Sequence, residues 1–263
     1  MGKIIAIANQ KGGVGKTTTV INLAASLSIL GQNNLVIDLD PQGNATTGLG
    51  KSNNDEDRNI YNLLIKKISL SDAILKTDIK NLDIIGSNVN LSGLEVETAN
   101  DENRAFILKE ILKNNMEIIN EYDNIFIDCP PSLSLLTIMA LVSANEILVP
   151  LQTEFFALEG ITQLVKTIDR IKVNLNPSLK VRGILLTMFD KRNKLSSQVD
   201  KEARNYFKEK VYKSVIPRNV RLSEAPSHGE PCVTYDKSCS GSKAYFQLAE
   251  EFKSQKNQIG SAA

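Results

Sequence analysis

The chain has 263 residues, of which 42% are hydrophobic, and its formal net charge is +1. This length accommodates one large α/β domain, and no apolar run approaches the roughly 18–20 residues needed to cross a bilayer. A strand begins by Lys3, which leaves no room for a signal peptide, and three cysteines without Cys-x-x-Cys spacing beside a single histidine argue against zinc sites, iron–sulfur clusters and disulfide frameworks. We therefore expect a cytoplasmic protein.

Strand-like and helix-like segments alternate along the chain. The expected strands are Lys3–Ala8, Leu35–Asp40, Leu82–Gly86, Asn124–Cys129, Glu146–Leu151, Gly183–Met188 and Val211–Ile216. The expected helices are Thr17–Leu30, Asn103–Asn120, Leu133–Ser143, Leu158–Asn174, Ser196–Lys208, capped by Ser196, and Lys243–Lys253. Continuously apolar strands that alternate with helices predict a doubly wound α/β fold with a mostly parallel sheet. We expect a single domain over residues 1–253, surface loops and short helices over Lys51–Asp78, and a disordered tail over residues 254–263.

Residues 9–18 read Asn-Gln-Lys-Gly-Gly-Val-Gly-Lys-Thr-Thr and follow the first strand directly. Three glycines in four positions allow a tight turn whose N–H groups converge, and the following helix adds a partial positive charge at its N-terminus. This pattern predicts a phosphate loop in which Lys16 contacts the phosphates and the Thr17 hydroxyl ligates Mg²⁺. Gln10 occupies the usual first glycine position, so the motif deviates from the general one. A second lysine, Lys11, has no obvious task in its own loop and hints at contact with a neighbouring subunit.

Carboxylates follow two other expected strands. Asp38 and Asp40 end the second strand, and Asp128 ends an apolar strand of the Walker B kind, before the stiff turn Cys129-Pro-Pro-Ser132. Asp128 would hold Mg²⁺ through water, while one of the first two carboxylates would support the metal and the other would orient an attacking water. The alternative for Asp38 and Asp40 is that they cap the next turn. Together with the phosphate loop, these residues suffice for slow nucleotide hydrolysis.

A basic segment lies in the third quarter of the chain. Between Lys166 and Arg221 there are fifteen Lys and Arg residues against five Asp and Glu residues, a net charge of +10 in a chain whose total is +1. This asymmetry favours a surface that faces a polyanion, and the alternative is an ordinary solvated helix face.

The phosphate loop, the segment Asp38-Leu-Asp-Pro-Gln-Gly-Asn44, the turn Asp128-Cys-Pro-Pro-Ser132 and the run from Ile216 to Gly229 occur together in this order. With these motifs the chain resembles the ParA-type partition ATPases of chromosomes and plasmids, specifically the short Soj-like form, from residue 3 to about residue 253. The resemblance implies a P-loop NTPase fold with a deviant Walker A motif, and ATP and Mg²⁺ as cofactors.

The resemblance also implies a role for particular residues. Lys16 and Asp40 are implied in catalysis, together with Lys11, which in this family reaches the phosphates bound by the partner of an ATP-sandwiched dimer. Metal binding falls to Thr17, Asp40 and Asp128, and non-specific DNA binding to Arg192 and Arg221. The implied nucleotide-binding residues are Lys11, Gly12, Gly13, Val14, Gly15, Lys16, Thr17 and Thr18 at the phosphates and Pro217, Arg218 and Asn219 at the adenine.

The partners implied are a second copy of the chain, double-stranded DNA and a ParB-type centromere-binding protein that stimulates hydrolysis, with a nucleoid-associated location and no membrane. Longer relatives carry an added helix-turn-helix domain, and no such sequence precedes the first strand, so DNA contact is expected to go mainly to phosphates. Two alternatives stay open. A MinD-like regulator of division-site placement would need a basic and apolar C-terminal amphipathic helix, and a phosphate-loop ligase or nitrogenase-type reductase would not need the basic segment.

Overall fold

The computed structural model describes residues 2–154 and 157–260, and the side chains of this part except those of residues 157–163 and 256–260. Within it, seven strands form one sheet in the order β3-β4-β2-β5-β1-β6-β7. The strands are β1 Lys3–Ile7, β2 Asn34–Asp38, β3 Ile74–Lys76, β4 Leu82–Ile85, β5 Asn124–Asp128, β6 Glu146–Gln152 and β7 Lys180–Thr187. All neighbouring pairs are parallel except β3 and β4, so the doubly wound, mostly parallel α/β fold is confirmed.

Helices connect the strands and cover both faces of the sheet. The α-helices are α1 Lys16–Ile29, α2 Asn44–Gly48, α3 Ile60–Leu64, α4 Leu70–Ala73, α5 Leu94–Glu97, α6 Ile107–Asn114, α7 Met116–Ile119, α8 Leu135–Ser143, α9 Ala157–Asn174, α10 Lys194–Phe207, α11 Val220–Glu224, α12 Cys232–Tyr235 and α13 Ser240–Gly260. No helix in the described part of the chain is both long and apolar enough to cross a membrane.

Two hydrophobic cores lie on opposite faces of the sheet, because side chains alternate between the faces along each strand. Ile5 and Ile7 of β1 pack with α1 and α13 in one core, while Ile4 and Ala6 pack with the helices of the other face. The central strands β1, β2 and β5 are therefore apolar on both sides, which explains their continuous hydrophobic runs. The carboxyl ends of these three strands meet at one edge of the sheet.

The expected strand Val211–Ile216 is wrong. A single isolated bridge, from Val211 to Ile184, joins this segment to β7, and backbone amides donate from Tyr212 to Ile184 and from Ile216 to Leu186. The intervening amides of Lys213 and Ser214 donate instead to the Glu251 carboxylate, at 2.8 and 2.9 Å. A side chain therefore takes the place of a continuous strand ladder. In the opposite sense, the short antiparallel edge strand β3 formed within a segment expected to be loops and short helices.

Helix boundaries also differ from expectation. The expected helix Asn103–Asn120 divides into a 3-10 turn, α6 and α7, because Asn115 adopts a non-helical conformation and its side-chain amide donates to the Ile111 carbonyl. Asn193, and not Ser196, caps α10. Residues 254–260, expected to be disordered, continue α13, since nothing in them breaks a helix before Gly260. The last three residues of the expected tail lie outside the described residues.

Candidate functional site

The loop between β1 and α1 has the backbone of an anion-binding turn. Gly13 and Gly15 adopt left-handed backbone conformations, with φ of 73° and 88°, which residues other than glycine rarely adopt. The Thr187 hydroxyl at the end of β7 donates to the Val14 carbonyl at 2.8 Å, and the Asn9 amide donates to the Pro150 carbonyl at 2.7 Å. Neighbouring strands thus fix the loop directly before the N-terminus of α1, where backbone N–H groups and the helix dipole favour a phosphate.

Lys16 begins α1 and is only 7% exposed. Its Nζ donates to the Lys11 carbonyl at 3.3 Å, so its side chain folds back over the loop. Burial lowers the pKa of Lys16, while the carboxylates of Asp128 and Asp40 act in the opposite direction. These interactions place the Lys16 ammonium between the loop and the acidic side chains described next.

Asp38, Asp40 and Asp128 form a carboxyl-end acidic cluster. Asp38 and Asp128 end β2 and β5 and are register partners, and both are fully buried. Asp38 is occupied, because its carboxylate accepts hydrogen bonds from the amide and hydroxyl of Thr46, at 2.9 and 2.8 Å, and from the Asp40 amide. Burial raises the pKa of Asp38 to about 6. This carboxylate orders the turn that follows β2, as the capping alternative predicted.

Asp128 differs from Asp38 in having no such support. Neither of its carboxylate oxygens has a hydrogen-bond partner in the described residues. Burial and then the Asp38 charge raise its pKa well above the ordinary value, and a weaker interaction with the Thr17 hydroxyl opposes them. A buried carboxylate without partners is costly unless a cation or water completes it. The position therefore fits a cation bound beside Thr17.

The donor set agrees with Mg²⁺ held in a nucleotide complex. The described residues contain no group of three or more His, Cys, Asp or Glu side chains arranged as a closed metal cage. Mg²⁺ is commonly bound by one or two protein oxygens, with water and substrate phosphates as the remaining ligands. Thr17 and Asp128 supply such oxygens, and Asp40, which is 7% exposed, lies two residues beyond the end of β2 with its carboxylate accepting the Gln42 amide.

Lys11 does not point freely away from the loop. Its ammonium forms an ion pair with Glu154, a residue beyond the end of β6, and both side chains are partly exposed. No sequence motif connects these two residues, because they are distant in the chain. The structure thus places Lys11 at the rim of the site with a partner in its own subunit.

A cavity adjoins the phosphate loop. It has a volume of about 110 Å³ and is lined by residues from the loop and α1, among them Gly15 and Thr18, and by the expected adenine residues Pro217, Arg218 and Asn219. Asn219 caps α11 and its amide donates to the Ser240 hydroxyl at 2.8 Å. Met188, which follows β7 with a φ of 50°, also lines the cavity and was not expected from the sequence. The size and position suit a nucleobase whose phosphates lie in the loop.

The basic segment contains two kinds of cation. Arg182 is structural, since its side chain is 3% exposed, pairs with Glu146 and stacks on Phe252 at 3.6 Å from the ring centroid. Arg192 and Arg221 are exposed, and each pairs with an acidic neighbour, Asp190 and Glu224 respectively.

Beside Arg192 lies an open cavity of about 640 Å³, which is lined by Lys191, Arg192, Arg218 and Lys243 and by one carboxylate, Asp190. Lys243 belongs to α13, outside the segment that the charge count identified. The cavity is therefore more basic than the sequence segment alone indicated.

Comparisons with known proteins agree with these features. A family profile described as an AAA domain matches residues 2–181. The chain is 49% identical to the chromosome partitioning protein ParA of Caulobacter vibrioides, over 95% of this chain and 93% of that protein. It is also 49% identical to the sporulation initiation inhibitor protein Soj of Bacillus subtilis, over 95% and 98% of the two chains.

Among solved structures, a cobyrinic acid a,c-diamide synthase of Mycobacterium smegmatis, with bound ATP analogue and magnesium, superposes with a TM-score of 0.84 at 32% identity, over 95% of this chain and 93% of that chain. That likeness shows that the same fold also serves a synthase. The higher identity to partition proteins decides between the two, and the MinD-like alternative has less support for the same reason. The chain belongs to the ParA/Soj family of chromosome-partitioning P-loop ATPases.

Proposed function

We propose that the protein is a Mg²⁺-dependent ATPase whose ATP-bound dimer holds DNA without sequence preference and releases it after hydrolysis. The observation that carries the proposal is Asp128, which is buried beside the phosphate loop and Lys16 and has no hydrogen-bond partner among the described residues. An ATPase site of this kind requires a carboxylate that is left available for a metal–nucleotide complex.

The proposed chemistry uses few groups. The loop amides and Lys16 bind the β- and γ-phosphate oxygens, and Asp40 positions the attacking water. Bound Mg²⁺, held by Thr17 and by Asp128 through water, would neutralise charge on the phosphates. Pro217, Arg218 and Asn219 hold the adenine. Because positioning and electrostatics carry most of the acceleration, slow basal turnover stimulated by a ParB-type partner is the expected behaviour.

Dimerisation follows from Lys11. Its side chain lies at the rim of the site and is about half exposed, so it is available to a facing protomer once the contact with Glu154 is exchanged. In the proposed dimer each Lys11 contacts the nucleotide of the other subunit, and ATP bridges the two chains. The exposed Arg192 and Arg221 of both subunits then contribute to one DNA-binding surface, which would place the protein on the nucleoid.

Asp40→Ala tests the switch. The variant is expected to bind ATP and to remain dimeric and bound to DNA, because it retains the phosphate loop but loses the group that positions water. Light scattering with saturating ATP and Mg²⁺, run beside a gel-shift assay, measures both properties. Single chains in the presence of ATP, or DNA binding of equal strength without nucleotide, would contradict the proposal.

A matched pair of variants tests the DNA surface. Arg192→Glu should lose DNA binding while it retains basal ATP turnover, since Arg192 is exposed and pairs only with Asp190 among the described residues. Asp190→Asn removes the competing carboxylate and should tighten DNA binding. Binding to a charge-neutralising surface should weaken steeply as salt rises. Equal DNA affinity for both variants would rule out Arg192 as a contact.

A further inference from the structure

Two cysteines that no sequence motif pairs lie in contact. Cys232 begins α12 and Cys239 immediately precedes α13, and their sulfur atoms are 3.4 Å apart. Both are free thiols. Six residues separate them in the chain, a spacing outside the usual metal and redox motifs, and α12 with its following turn folds the chain back to bring them together.

The surroundings of the two sulfurs are unequal. Cys239 is partly exposed and stands at the N-terminus of the 21-residue helix α13, where the Ser242 amide donates to its sulfur at 3.4 Å. Burial alone would raise the pKa of Cys239, but its hydrogen bonds with the Ser242 hydroxyl and from the Ser242 amide outweigh burial, so the pKa lies below the ordinary value. Cys232 is buried, and burial raises its pKa to about 12. A thiol at a helix N-terminus that has a lowered pKa and access to solvent is the more reactive of such a pair.

We propose that Cys232 and Cys239 form a reversible redox site, which closes to an intrachain disulfide when a peroxide reaches Cys239. The proposal rests on the contact between the two sulfurs and on the position of Cys239 at the start of α13. It concerns a modification site of this chain and is independent of the proposed ATPase activity.

The chemistry balances with hydrogen peroxide as the oxidant. The Cys239 thiolate attacks one peroxide oxygen, the O–O bond breaks, and the departing hydroxide takes a proton to leave as water, which gives a sulfenic acid on Cys239. The Cys232 thiol then attacks the Cys239 sulfur and loses its proton, and the sulfenic hydroxyl leaves as a second water. Two thiols and one peroxide thus become one disulfide and two waters. A dithiol reductant reverses the reaction by thiol–disulfide exchange.

The movement required is small. The present separation exceeds a sulfur–sulfur bond of about 2.0 Å by roughly 1.4 Å. The connection between the two cysteines carries the polar turn of residues 236–238, which is partly exposed, so it can absorb a shift of this size. Cys129 provides an internal contrast, because it is fully buried at the end of β5 and burial raises its pKa well above the ordinary range.

The disulfide would fix the connection between α12 and α13, whose two ends contact residues of the candidate site. Asp236 lies 3.6 Å from the Nε atom of Arg221, and Ser240 accepts the hydrogen bond from Asn219. Closure therefore ties the turn that contacts one expected DNA residue to the helix end that contacts one expected adenine residue. The link between oxidation and these two contacts rests on the proposed function, whereas formation of the bond does not.

The test uses the full chain, fully reduced and then freed of reductant. After treatment with hydrogen peroxide, N-ethylmaleimide is added under denaturing conditions and the intact mass is measured. The reduced protein should take up three labels, one for each cysteine, and the oxidised protein one. Peptide mapping should find Cys232 joined to Cys239 with a mass about 2 Da below that of the two thiols. Dithiothreitol should restore three labels.

Matched variants decide which thiol reacts first. Cys129→Ser should form the same bond, Cys239→Ser should leave Cys232 reduced, and Cys232→Ser should carry the oxidation on Cys239 alone. Three labels after peroxide, a bond between chains in place of one within the chain, or oxidation of Cys232 at an undiminished rate in Cys239→Ser would each overturn the proposal. None of these results depends on ATP or DNA, so failure here is separate from failure of the proposed ATPase.

Discussion

The two ends of the central strands carry buried charge in opposite ways. At the amino ends, Lys3, Glu146 and Arg182 form an amino-end ion cluster in which Glu146 contacts both cations. Burial alone would raise the pKa of Glu146, but the charges of Arg182 and Lys3 outweigh burial, so the pKa lies below its ordinary value. At the carboxyl ends, burial and then the Asp38 charge raise the pKa of Asp128, whose carboxylate oxygens have no hydrogen-bond partner among the described residues. One end has its charges neutralised within the chain, and the other leaves a charge for a ligand to neutralise.

This difference separates stability from function in one sheet. Buried charges that are paired within the chain affect only the stability of the folded state. A buried carboxylate without a partner costs stability until a cation arrives, and such sites are typical of binding and catalysis. The amino-end ion cluster and the carboxyl-end acidic cluster therefore respond differently to mutation.

The largest expected effect is on turnover at the carboxyl end. Lys16→Ala removes the cation that acts on both Asp128 and the phosphates, and loss of such a group lowers turnover by about 100- to 1000-fold. Phosphate release under saturating ATP measures it. The exposed Lys67 provides the control, and Lys67→Ala should retain wild-type turnover. Substantial turnover in Lys16→Ala would remove this lysine from the catalytic machinery.

At the amino end the large effect is on stability. Arg182→Ala leaves Glu146 without its nearest cation and removes the stacking on Phe252, which should lower the free energy of unfolding by about 3 kcal/mol. Urea titration measures the change. Lys76→Ala is the control, because Lys76 pairs with Asp83 but is itself 83% exposed, and should cost less than about 1 kcal/mol. Equal losses for both variants would mean that burial of the pair is unimportant.

Asp128→Asn should act in the reverse direction. Replacement of a buried carboxylate that has no hydrogen-bond partner among the described residues by a neutral amide should raise the free energy of unfolding of the nucleotide-free protein by about 1 kcal/mol. The same variant should lose Mg²⁺-dependent turnover. Urea titration without nucleotide and phosphate release with it measure the two effects. A destabilised nucleotide-free variant would show that Asp128 has a structural partner after all.

The smallest expected effect is a pH dependence at the amino end. Since the folded-state pKa of Glu146 is lowered below its ordinary 4.5, its stabilising contribution is complete above that pH and is lost as the pH falls through the folded-state pKa. The free energy of unfolding should therefore decline on acidification below about 4.5, and less steeply in Glu146→Gln. Parallel curves for the two proteins would assign the decline to other carboxylates.

The sequence predicted the parts of the fold that depend on local pattern. The continuous apolar runs of β1, β2 and β5, and the glycines before α1, needed no distant contact to be identified. The segment Val211–Ile216 looked equally strand-like, yet Glu251, far along the chain, takes its amides. The break at Asn115 depends on one side chain that competes for a backbone carbonyl. Such outcomes are decided by tertiary partners, which a local pattern does not contain.

The site divides in the same way. Motif spacing placed Lys16, Thr17 and Asp128 together, and the structure brings them together. The spacing alone gave Asp38 and Asp40 interchangeable roles; the family resemblance favoured Asp40, and the three hydrogen bonds to Asp38 supply a physical reason for the difference. The spacing argument against disulfides missed the contact between Cys232 and Cys239, because a turn, and not a sequence motif, joins them.

Helix α13 has one further consequence. Its Tyr245 hydroxyl lies 3.2 Å from the Thr19 hydroxyl, one turn from the phosphate loop, while its Phe252 supports Arg182 at the far end of the strands. These two attachments lie seven positions apart, or two helical turns, and so point the same way. A single residue inserted between them would rotate one side chain about 100° away from the other. Only one of the two contacts, with Thr19 or with Arg182, could then form. The number of residues between Tyr245 and Phe252 is therefore as constrained as the spacing of the residues in the phosphate loop.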